Sequence, residues 1–417
     1  MTFTRKQQLV LMIFAVAVAA RLGFVATRGI LTTTDTSEYQ QLARNLLRFH
    51  AFSTSAHEPL KSTIARPPVY PIFLASLMAL SRSPIAPAIT QAILDALVCA
   101  ILFLMTSRVV RSPTAVAISL LYALHPGAIA LSATLLSEPL FTTLLVIAVF
   151  LALIAAERLS LTLALCSGAV AGLATLSRSI GVLYVIAVAC VLVNRRFRRI
   201  APVFVFGALL MIAPWIMRSS RLAGRFVFIQ APSGVAWYLP SLWWLDQNDE
   251  PAVWRYFHSA DPYRTRLRAA GTPAAVMSAD DFARKQTITN IRKNAGRYVQ
   301  SRIRTFPHLF LNTFDRATGI NRSLGAVAHA HDFAALTCKL GLMLLFTALP
   351  MIASLYGIRA SWRTLAGSLA AAIWIVTLAV HVPMWIEYRY WLPVVPFHFV
   401  TAAIGIQRLL DRNAKHN

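Results

Sequence analysis

The stretch TTTDTSEYQQLARNLLRFHAFS (residues 32–53) directly follows an apolar run, and its first charged residue is Asp35. Its apolar residues fall on one helical stripe: Tyr39, Leu42, Leu46 and Phe49. This spacing predicts an amphipathic helix, and its place beside an apolar run predicts a juxtamembrane position. Asp35 stands at the predicted N-cap, with Glu38 at the spacing of a capping box. Asp35 is therefore either a helix cap or a carboxylate for acid–base chemistry or metal binding.

The composition of the chain places this helix in a membrane protein. Of the 417 residues, 57% are hydrophobic and 13% are charged, and this charged fraction is about half that of a typical soluble domain. Apolar runs recur along the chain, and many are long enough to cross a bilayer. We therefore predict an all-α polytopic integral membrane protein with ten spans, near residues 9–27, 86–107, 114–132, 139–156, 161–176, 180–193, 200–217, 336–356, 364–382 and 391–409.

The charge balance and the cysteines exclude two other classes of protein. The net charge is +24, from 40 Lys and Arg against 16 Asp and Glu. In a membrane protein, such an excess sets the orientation of the spans and attracts anionic lipid, so we expect no nucleic-acid partner. The four cysteines lie inside apolar runs without CxxC spacing, which argues against a disulfide framework and against a zinc site.

One short apolar segment, PPVYPIFLASLMAL (residues 67–80), decides the sidedness of the spans. If it lies along the membrane instead of crossing it, the short loops of one side hold only Arg178 and Arg389. The termini and loops of the opposite side then collect Arg5, Lys6, Arg108, Arg111, Arg158, Arg195, Arg196, Arg198, Arg199, Arg359, Arg363, Arg408, Arg412 and Lys415. Basic residues concentrate on the cytoplasmic side of membrane proteins, so both termini are predicted to be cytoplasmic.

This topology divides the chain into three regions. Residues 1–217 form a membrane core whose first outer loop, 28–85, carries the juxtamembrane helices. Residues 218–335 form a large outer loop between spans seven and eight, and residues 336–417 form the last membrane helices and a short cytoplasmic tail. Within the large loop, the stretch RYVQSRIRTFPHLFLNTF (297–314) mixes basic and aromatic residues, which indicates a helix at the lipid interface. The alternative for this loop is a solvated cap without a direct role.

The acidic residues are confined almost entirely to the outer side. Only Asp95, Glu157 and Asp411 are assigned to the membrane interior or the cytoplasm. Because a charge inside a membrane needs a partner, Asp95 is predicted to face other helices and to pair with a hydroxyl group or an arginine. Any acid–base chemistry is therefore expected at the outer face.

Three further outer elements carry candidate site residues. Arg66 in ARPPVYP is either a phosphate ligand or an interfacial anchor. Glu138 in LLSEPLF stands at the membrane boundary beside Pro139, either as a functional acid or as a carboxylate favoured by the helix start. Arg178 in LATLSRSIGVLY lies on the outer side, although the other short-loop basic residues are mostly cytoplasmic. A phosphate partner would explain its presence there.

Two other pairs are weaker candidates. Glu387 and Arg389 in MWIEYRYWLPVVPF enter the last span, where they could form only a local ion pair, of little energy if exposed. His329 and His331 in HAHD have the spacing of a metal-binding pair, which alone is weak evidence for a site.

The order of these motifs resembles that of the GT-C membrane glycosyltransferases, in the bacterial branch similar to protein O-mannosyltransferases and the lipid A aminoarabinose transferase. The resemblance rests on the Asp after the first span and on RPPVYP, SEPLF, LATLSRSIG, APWIMRSSRLAGRFV and EYRYWLPVVP. It covers residues 1–235 and returns at 336–410, while residues 236–335 match no familiar segment.

The resemblance implies a hexosyl or pentosyl transfer from a polyprenyl-phosphate donor to a glycolipid, glycan or protein hydroxyl. The site would lie at the extracytoplasmic face of the bacterial inner membrane. The family's catalytic aspartate falls on Asp35 and its second acid on Glu138. The basic residues that bind the donor phosphate fall on Arg66 and Arg178. Supporting positions are Glu38, Tyr70, Glu387 and Arg389.

The resemblance does not decide whether the reaction needs a divalent metal. A lipid or sugar transporter is an alternative function, but it predicts internal repeats and charged residues at the membrane midplane. The sequence has no such repeat, and Asp95 is its one midplane charge. An O-antigen ligase or polymerase is a second alternative, with its functional Arg and His residues expected in the large late loop.

Overall fold

The computed structural model describes residues 4–81, 83–195, 197–246, 249–311, 314–320 and 324–414. Two basic residues used to predict the sidedness, Arg196 and Lys415, lie outside the described residues. Throughout these ranges the regular structure is helical, with two isolated β-bridges. The predicted all-α class is therefore confirmed.

The helices fall into three groups along the chain. The first group is α1 (Arg5–Arg28), α2 (Thr34–Phe49), α3 (Val69–Leu80), α4 (Ala86–Thr106), α5 (Ser112–Ala123), α6 (Pro126–Ser132), α7 (Ser137–Arg158), α8 (Leu161–Thr175), α9 (Gly181–Asn194) and α10 (Ile200–Ala223). The second is α11 (Val235–Tyr238), α12 (Glu250–Ser259), α13 (Pro262–Ala269), α14 (Pro273–Lys293), α15 (Ala295–Thr305), α16 (His308–Leu311), α17 (Asp315–Thr318) and α18 (Leu324–His329). The third is α19 (Phe333–Met343), α20 (Leu349–Ser361), α21 (Leu365–His381) and α22 (Val395–Asn413).

Short helical turns complete these groups. A π-helical turn, Leu344–Ala348, joins α19 to α20. Three 3₁₀ turns lie at Leu239–Ser241, Tyr388–Tyr390 and Leu392–Val394.

The chain crosses the membrane several times. Six described segments are long and apolar enough to span a bilayer: α1, α4, α7, α10, Phe333–Ser361 and Tyr388–Asn413. The pair α5 and α6, bent by 52°, makes a seventh if it forms one span. Helices α8, α9 and α21 are apolar but have only 15, 14 and 17 residues. A multi-pass membrane protein is thus confirmed, and the number of ten spans stays a prediction.

The loop between α1 and α4 leaves and re-enters the helix bundle at the same end. Just after α1, the Leu31 amide donates to Ala133 O at 3.0 Å. Near the start of α4, Gln91 Nε2 donates to Ser132 O at 3.1 Å and to Thr134 O at 2.8 Å. Both ends of the loop therefore contact residues 132–134, so α3 adds no crossing, in agreement with the interpretation of residues 67–80.

Ion pairs mark the opposite end of the bundle. Arg108 Nε lies 3.0 Å from Glu157 Oε1, which joins the end of α4 to the end of α7. Arg111 Nη2 lies 3.0 Å from Asp411 Oδ1 near the end of α22. Since α1 starts and α22 finishes at this end, both described termini lie on the side of the bundle away from α2.

A buried ion pair lies beside the bend between α5 and α6. Arg21 Nε lies 2.6 Å from Asp95 Oδ2, and both side chains are buried. Tyr122 donates to Asp95 Oδ1 at 3.2 Å, and Arg21 Nη1 donates to Ala123 O at 2.8 Å. Ala123 is the last residue of α5, where carbonyl groups lose their helical partners, so Arg21 satisfies a group that the bend exposes. Asp95 therefore pairs with both an arginine and a hydroxyl group, as predicted.

Glycines allow two helix pairs to pack at backbone distance. A Cβ added at Gly168 of α8 would lie 1.9 Å from Phe204 O of α10. A Cβ added at Gly405 of α22 would lie 1.9 Å from Ala353 O of α20. Small residues at such contacts let membrane helices approach closely.

Residues 218–335, the cap, have an apolar core of their own. Its buried residues include Tyr238, Leu242, Phe257 and Tyr263, and Trp385 from the link between α21 and α22 packs against them. The Trp385 amide also donates to Ala236 O at 2.7 Å. The cap is thus attached to the segment that leads into the last helix.

We expect Asp95→Asn to lower the free energy of unfolding by about 3–5 kcal/mol, because it leaves the Arg21 charge buried without its partner. Thermal unfolding of the purified protein in detergent measures this loss. The matched control is Glu157→Gln, which breaks an ion pair near the surface and is expected to cost less than about 1 kcal/mol. Equal unfolding temperatures for Asp95→Asn and the wild type would contradict the role given to the buried pair.

Candidate active site

The start of α2 differs from its prediction. Thr33 is the N-cap: Thr33 Oγ1 accepts from the Thr36 amide at 3.3 Å, and Thr36 Oγ1 accepts from the Thr33 amide at 3.0 Å. Asp35 lies within the first helical turn, so its prediction as N-cap, with Glu38 closing a capping box, was wrong. Because a threonine takes the cap, the Asp35 carboxylate is left for contacts outside the helix.

The buried face of α2 also differs in part from the predicted stripe. Tyr39 and Leu42 are buried as expected, but Phe49 at the end of the helix is 47% exposed. Asn45, which is not part of the apolar stripe, is also buried and donates to Ser53 O at 2.7 Å. The buried face of α2 packs against the bundle, while the side chains of Asp35 and Glu38 stay partly exposed.

Asp35 is held between two arginines that are distant in sequence. Arg66 Nη2 donates to Asp35 Oδ1 at 2.7 Å, and Arg389 Nη1 donates to Asp35 Oδ2 at 2.8 Å. Each carboxylate oxygen therefore has its own guanidinium partner. The Asp35 side chain remains 22% exposed, so it is still accessible from outside the protein.

Arg66 joins Asp35 to Glu38. Its Nε and Nη2 donate to Glu38 Oε2 at 3.0 and 2.6 Å. The guanidinium also lies over the Tyr39 ring, 5.1 Å from its centroid, an arrangement that favours a cation. Arg66 therefore belongs to a charged cluster and does not act only as an interfacial anchor.

Glu138 and Arg178 form a second, deeper pair. Arg178 Nη1 lies 2.6 Å from Glu138 Oε1, and the Glu138 side chain is 1% exposed. Glu138 Oε1 accepts no hydrogen bond from the described residues, so its contact with Arg178 is ionic. Ser137 Oγ lies within hydrogen-bond distance of Glu138, Arg178 and Tyr39, and it links this pair to α2. Pro139 lies in the first turn of α7.

Arg389 joins the two halves of the cluster. Besides its bond to Asp35, its Nε lies 2.5 Å from Glu387 Oε2 and 3.7 Å from Glu138 Oε1. Its side chain is only 18% exposed, and Trp385 Nε1 donates to Glu387 Oε1 at 3.2 Å. The local pair of Glu387 and Arg389 therefore forms, but it is neither exposed nor merely local, because Arg389 bridges acids from three segments.

The site is thus a cluster of four carboxylates and three arginines at one end of the bundle: Asp35, Glu38, Glu138, Glu387, Arg66, Arg178 and Arg389. Tyr70, predicted as a supporting residue, lies behind it. Its hydroxyl donates to Gln91 Oε1 at 2.8 Å, and its ring packs edge-on against Tyr39 with centroids 4.8 Å apart. Tyr70 therefore supports α2 without an ionic contact.

The arginines change the acidity of Asp35. Burial alone would raise the pKa of this carboxyl, but the Arg66 and Arg389 guanidiniums hold it well below its usual range. Asp35 is therefore ionised at neutral pH. Burial would lower the pKa of the Arg66 guanidinium, but Tyr39, Glu38 and Asp35 hold it well above its ordinary value.

Across the part of the chain that the structure describes, no three His, Cys, Asp or Glu side chains are grouped to hold a metal ion. His329 ends α18, and His331 follows in the next turn. Their pairing as metal ligands therefore lacks a third partner among the described residues.

Comparison with known proteins identifies the fold. The sequence model of the dolichyl-phosphate-mannose-protein mannosyltransferase family matches residues 65–217. The oligosaccharyltransferase AglB of Archaeoglobus fulgidus, solved with an inhibitory peptide and a dolichol-phosphate, has a TM-score of 0.55 and 14% identity over 98% of this chain. The chain has the GT-C fold of membrane glycosyltransferases. The GT-C fold expected from the order of the motifs is thereby confirmed.

The chain spans 50% of the length of AglB. ArnT of Cupriavidus metallidurans, solved with bound undecaprenyl phosphate, matches 96% of this chain and 76% of its own length at 14% identity, with a TM-score of 0.43. No curated protein sequence matches the chain. The family match includes Arg66, Glu138 and Arg178, whereas Asp35 and Arg389 lie outside it.

Sequence reasoning missed the bridging role of Arg389 and the contacts of Tyr390. The Tyr390 ring lies under both Arg178 and Arg389, with centroid distances of 5.4 and 5.6 Å. The available signal was EYRY itself, because an acid and an arginine beside two tyrosines at the mouth of an apolar helix are costly unless they find partners.

We expect Arg389→Gln to lower the free energy of unfolding by about 3 kcal/mol, because it removes the guanidinium that contacts Asp35, Glu138 and Glu387. Arg389→Lys should recover only part of the loss, since one ammonium group cannot replace a planar fork between several acids. Thermal unfolding in detergent measures both variants. Arg111→Gln, which removes an exposed ion pair, is the control, and equal effects of Arg389→Gln and Arg111→Gln would contradict the bridging role.

Proposed function

We propose that this protein is a membrane glycosyltransferase that moves a sugar from a polyprenyl-phosphate donor to a hydroxyl group of an acceptor. The observation that carries the proposal is the cluster of arginines and carboxylates around Asp35, set at one end of a GT-C bundle. The family that matches residues 65–217 is described by a dolichyl-phosphate donor, and AglB was solved with a dolichol-phosphate. Both support a lipid-linked donor.

The cluster would lie at the extracytoplasmic face of a bacterial inner membrane, with both termini in the cytoplasm. The support is the distribution of basic residues in the short loops, because cytoplasmic loops carry the excess of Lys and Arg. At this position the cluster could receive a lipid phosphate from the outer leaflet and an acceptor from outside the cell.

Arg66, Arg178 and Arg389 would bind the donor phosphate. Arg66 makes its ionic contacts through Nε and Nη2, Arg389 through Nε and Nη1, and Arg178 through Nη1. A guanidinium has five N–H donors, so each arginine can offer further donors to phosphate oxygens while its carboxylates hold it in place. Positively charged groups fixed in advance stabilise the charge that the leaving phosphate gains in the transition state.

Asp35 would act as the general base. The acceptor oxygen attacks the anomeric carbon, the bond between that carbon and the phosphate oxygen breaks, and the acceptor proton passes to Asp35. The donor then leaves as a polyprenyl phosphate. Glu138, buried against Arg178, would hold that arginine in position and is the second acid of the site.

The two arginines on Asp35 also make it a poor base in the present arrangement, because they lower its pKa. A donor phosphate competes with Asp35 for Arg66 and Arg389. Any loosening of these pairs raises the pKa of Asp35 and its ability to take a proton. Donor binding would therefore prepare the base for the acceptor.

Asp35→Asn should lower the rate of sugar transfer by at least about 10²-fold, because an amide cannot accept the proton. Arg66 and Arg389 keep their contacts to Glu38 and Glu387 in this variant, so the fold should persist. The measurement is transfer from a synthetic polyprenyl-phosphate sugar in detergent, with thermal unfolding as the test of folding. Glu157→Gln, a carboxylate change at the other end of the bundle, should transfer at the wild-type rate.

Full activity of Asp35→Asn would refute the assignment of the base. The transporter alternative makes a different prediction: wild-type protein in vesicles would move a labelled lipid between leaflets and form no glycosylated product. Mass spectrometry of glycolipids and glycoproteins from a deletion strain would then identify the sugar and the acceptor.

We also expect the transfer to invert the anomeric configuration. A base that activates the acceptor, without a carboxylate that forms a covalent sugar intermediate, gives one displacement and therefore inversion. NMR of the purified product, compared with the donor anomer, measures the outcome. Retention would show that the reaction proceeds by two displacements.

A further inference from the structure

The cap contains a basic surface that the proposed reaction does not use. From Phe282 to Phe306 the sequence has seven basic residues and no acidic one. This segment includes the second half of α14 and all of α15. Six of the seven side chains are exposed: Arg284, Lys285, Arg292, Lys293, Arg297 and Arg304. Asp280 and Asp281 of α14 lie just before this segment, and Asp281 is 3.8 Å from Arg284. From Lys285 onward the exposed basic side chains have no acid beside them in sequence, and such a face attracts anionic groups.

The same surface exposes apolar side chains. Val299 and Ile303 lie one turn apart on α15 and are 53% and 70% exposed, and Ile288 on α14 is 47% exposed. On α15, Arg297 and Arg304 lie on the other half of the exposed face, about 100–160° around the helix from Val299 and Ile303 by helical geometry. Adjacent apolar and basic strips are typical of helices that lie in the lipid–water interface.

The contacts of α15 place it near the ends of the membrane helices, as expected for a helix in the lipid–water interface. Tyr298 donates its hydroxyl to Pro383 O at 2.6 Å, and Arg302 Nη1 donates to Met384 O at 3.0 Å. Pro383 and Met384 follow directly after α21, an apolar helix that ends at His381. At the other end of the surface, Asp281 of α14 pairs with Arg225 just after α10. The surface therefore runs between the ends of two helices of the membrane bundle.

We propose that the exposed face of Arg284–Arg304 docks on anionic lipid headgroups at the membrane surface. The basic side chains would contact the lipid phosphates, and Val299 and Ile303 would enter the upper part of the acyl region. The charge of the face selects anionic over zwitterionic lipid. This inference does not depend on the proposed transfer reaction.

The test uses the full-length protein with Cys166, Cys190 and Cys338, its exposed cysteines, replaced by serine. A fluorophore is attached at Ile303→Cys, or at Ser278→Cys, an exposed position of α14 outside the basic segment. The protein is placed in nanodiscs of phosphatidylcholine that contain a fixed fraction of lipid with a nitroxide on its acyl chain. The headgroup of this quencher is either phosphatidylglycerol or phosphatidylcholine.

We expect both quenchers to act on the label at position 303, with phosphatidylglycerol at least about twofold stronger because of the local basic charge. The variant Arg292→Gln/Lys293→Gln/Arg304→Gln should keep the quenching by phosphatidylcholine and lose the preference for phosphatidylglycerol. The label at position 278 should respond weakly to both lipids. Absence of quenching at position 303, or equal quenching by the two lipids in the unaltered face, would overturn the proposal.

Discussion

The bond between Arg389 and Asp35 is the contact on which the rest of the site depends. It joins two residues that are 354 positions apart, at opposite ends of the membrane bundle in sequence. Without Arg389, Glu387 would lose its guanidinium partner, and only Arg66 and Arg178 would offset the charge of the four carboxylates. Arg389 brings together three segments of the chain: the first outer loop, the start of α7 and the residues that lead into α22. The arginines therefore determine how near the acids can lie.

The protein has a second charged contact of the same kind in the bundle, but with a different role. Arg21 and Asp95 are almost completely buried, and their partners are Tyr122 and the carbonyl group of Ala123 at a helix bend. Nothing in this contact is open to a substrate. Asp35 and Arg66, by contrast, remain partly exposed. Buried pairs of this type are costly to break, and the accessible edge of a cluster is where a ligand can exchange with a carboxylate.

Much of this arrangement could be predicted from the sequence because it follows from composition and from the order of the spans. The apolar runs, the position of residues 67–80 and the pairing of Asp95 all depend on the cost of charge in a membrane, which a sequence displays directly. The same rule placed Asp35, Arg66, Glu138 and Arg178 on one face. It could not determine which arginine contacts which acid, because several pairings satisfy the same charge balance. It also misjudged the start of α2, since Thr33 and Asp35 are both good caps and only the contacts of the folded protein decide between them.

The link between α21 and α22 has a consequence for how the cap and the site move together. Trp385 packs into the core of the cap and bonds to Ala236, while Arg389, four residues later, contacts Asp35. Four residues of extended chain cover at most about 14 Å, so the cap cannot tilt far without pulling on this arginine. Movement of the cap and movement of Arg389 are therefore coupled through residues 385–389. A large ligand that displaces the cap at one end would change the electrostatic environment of the carboxylate at the other.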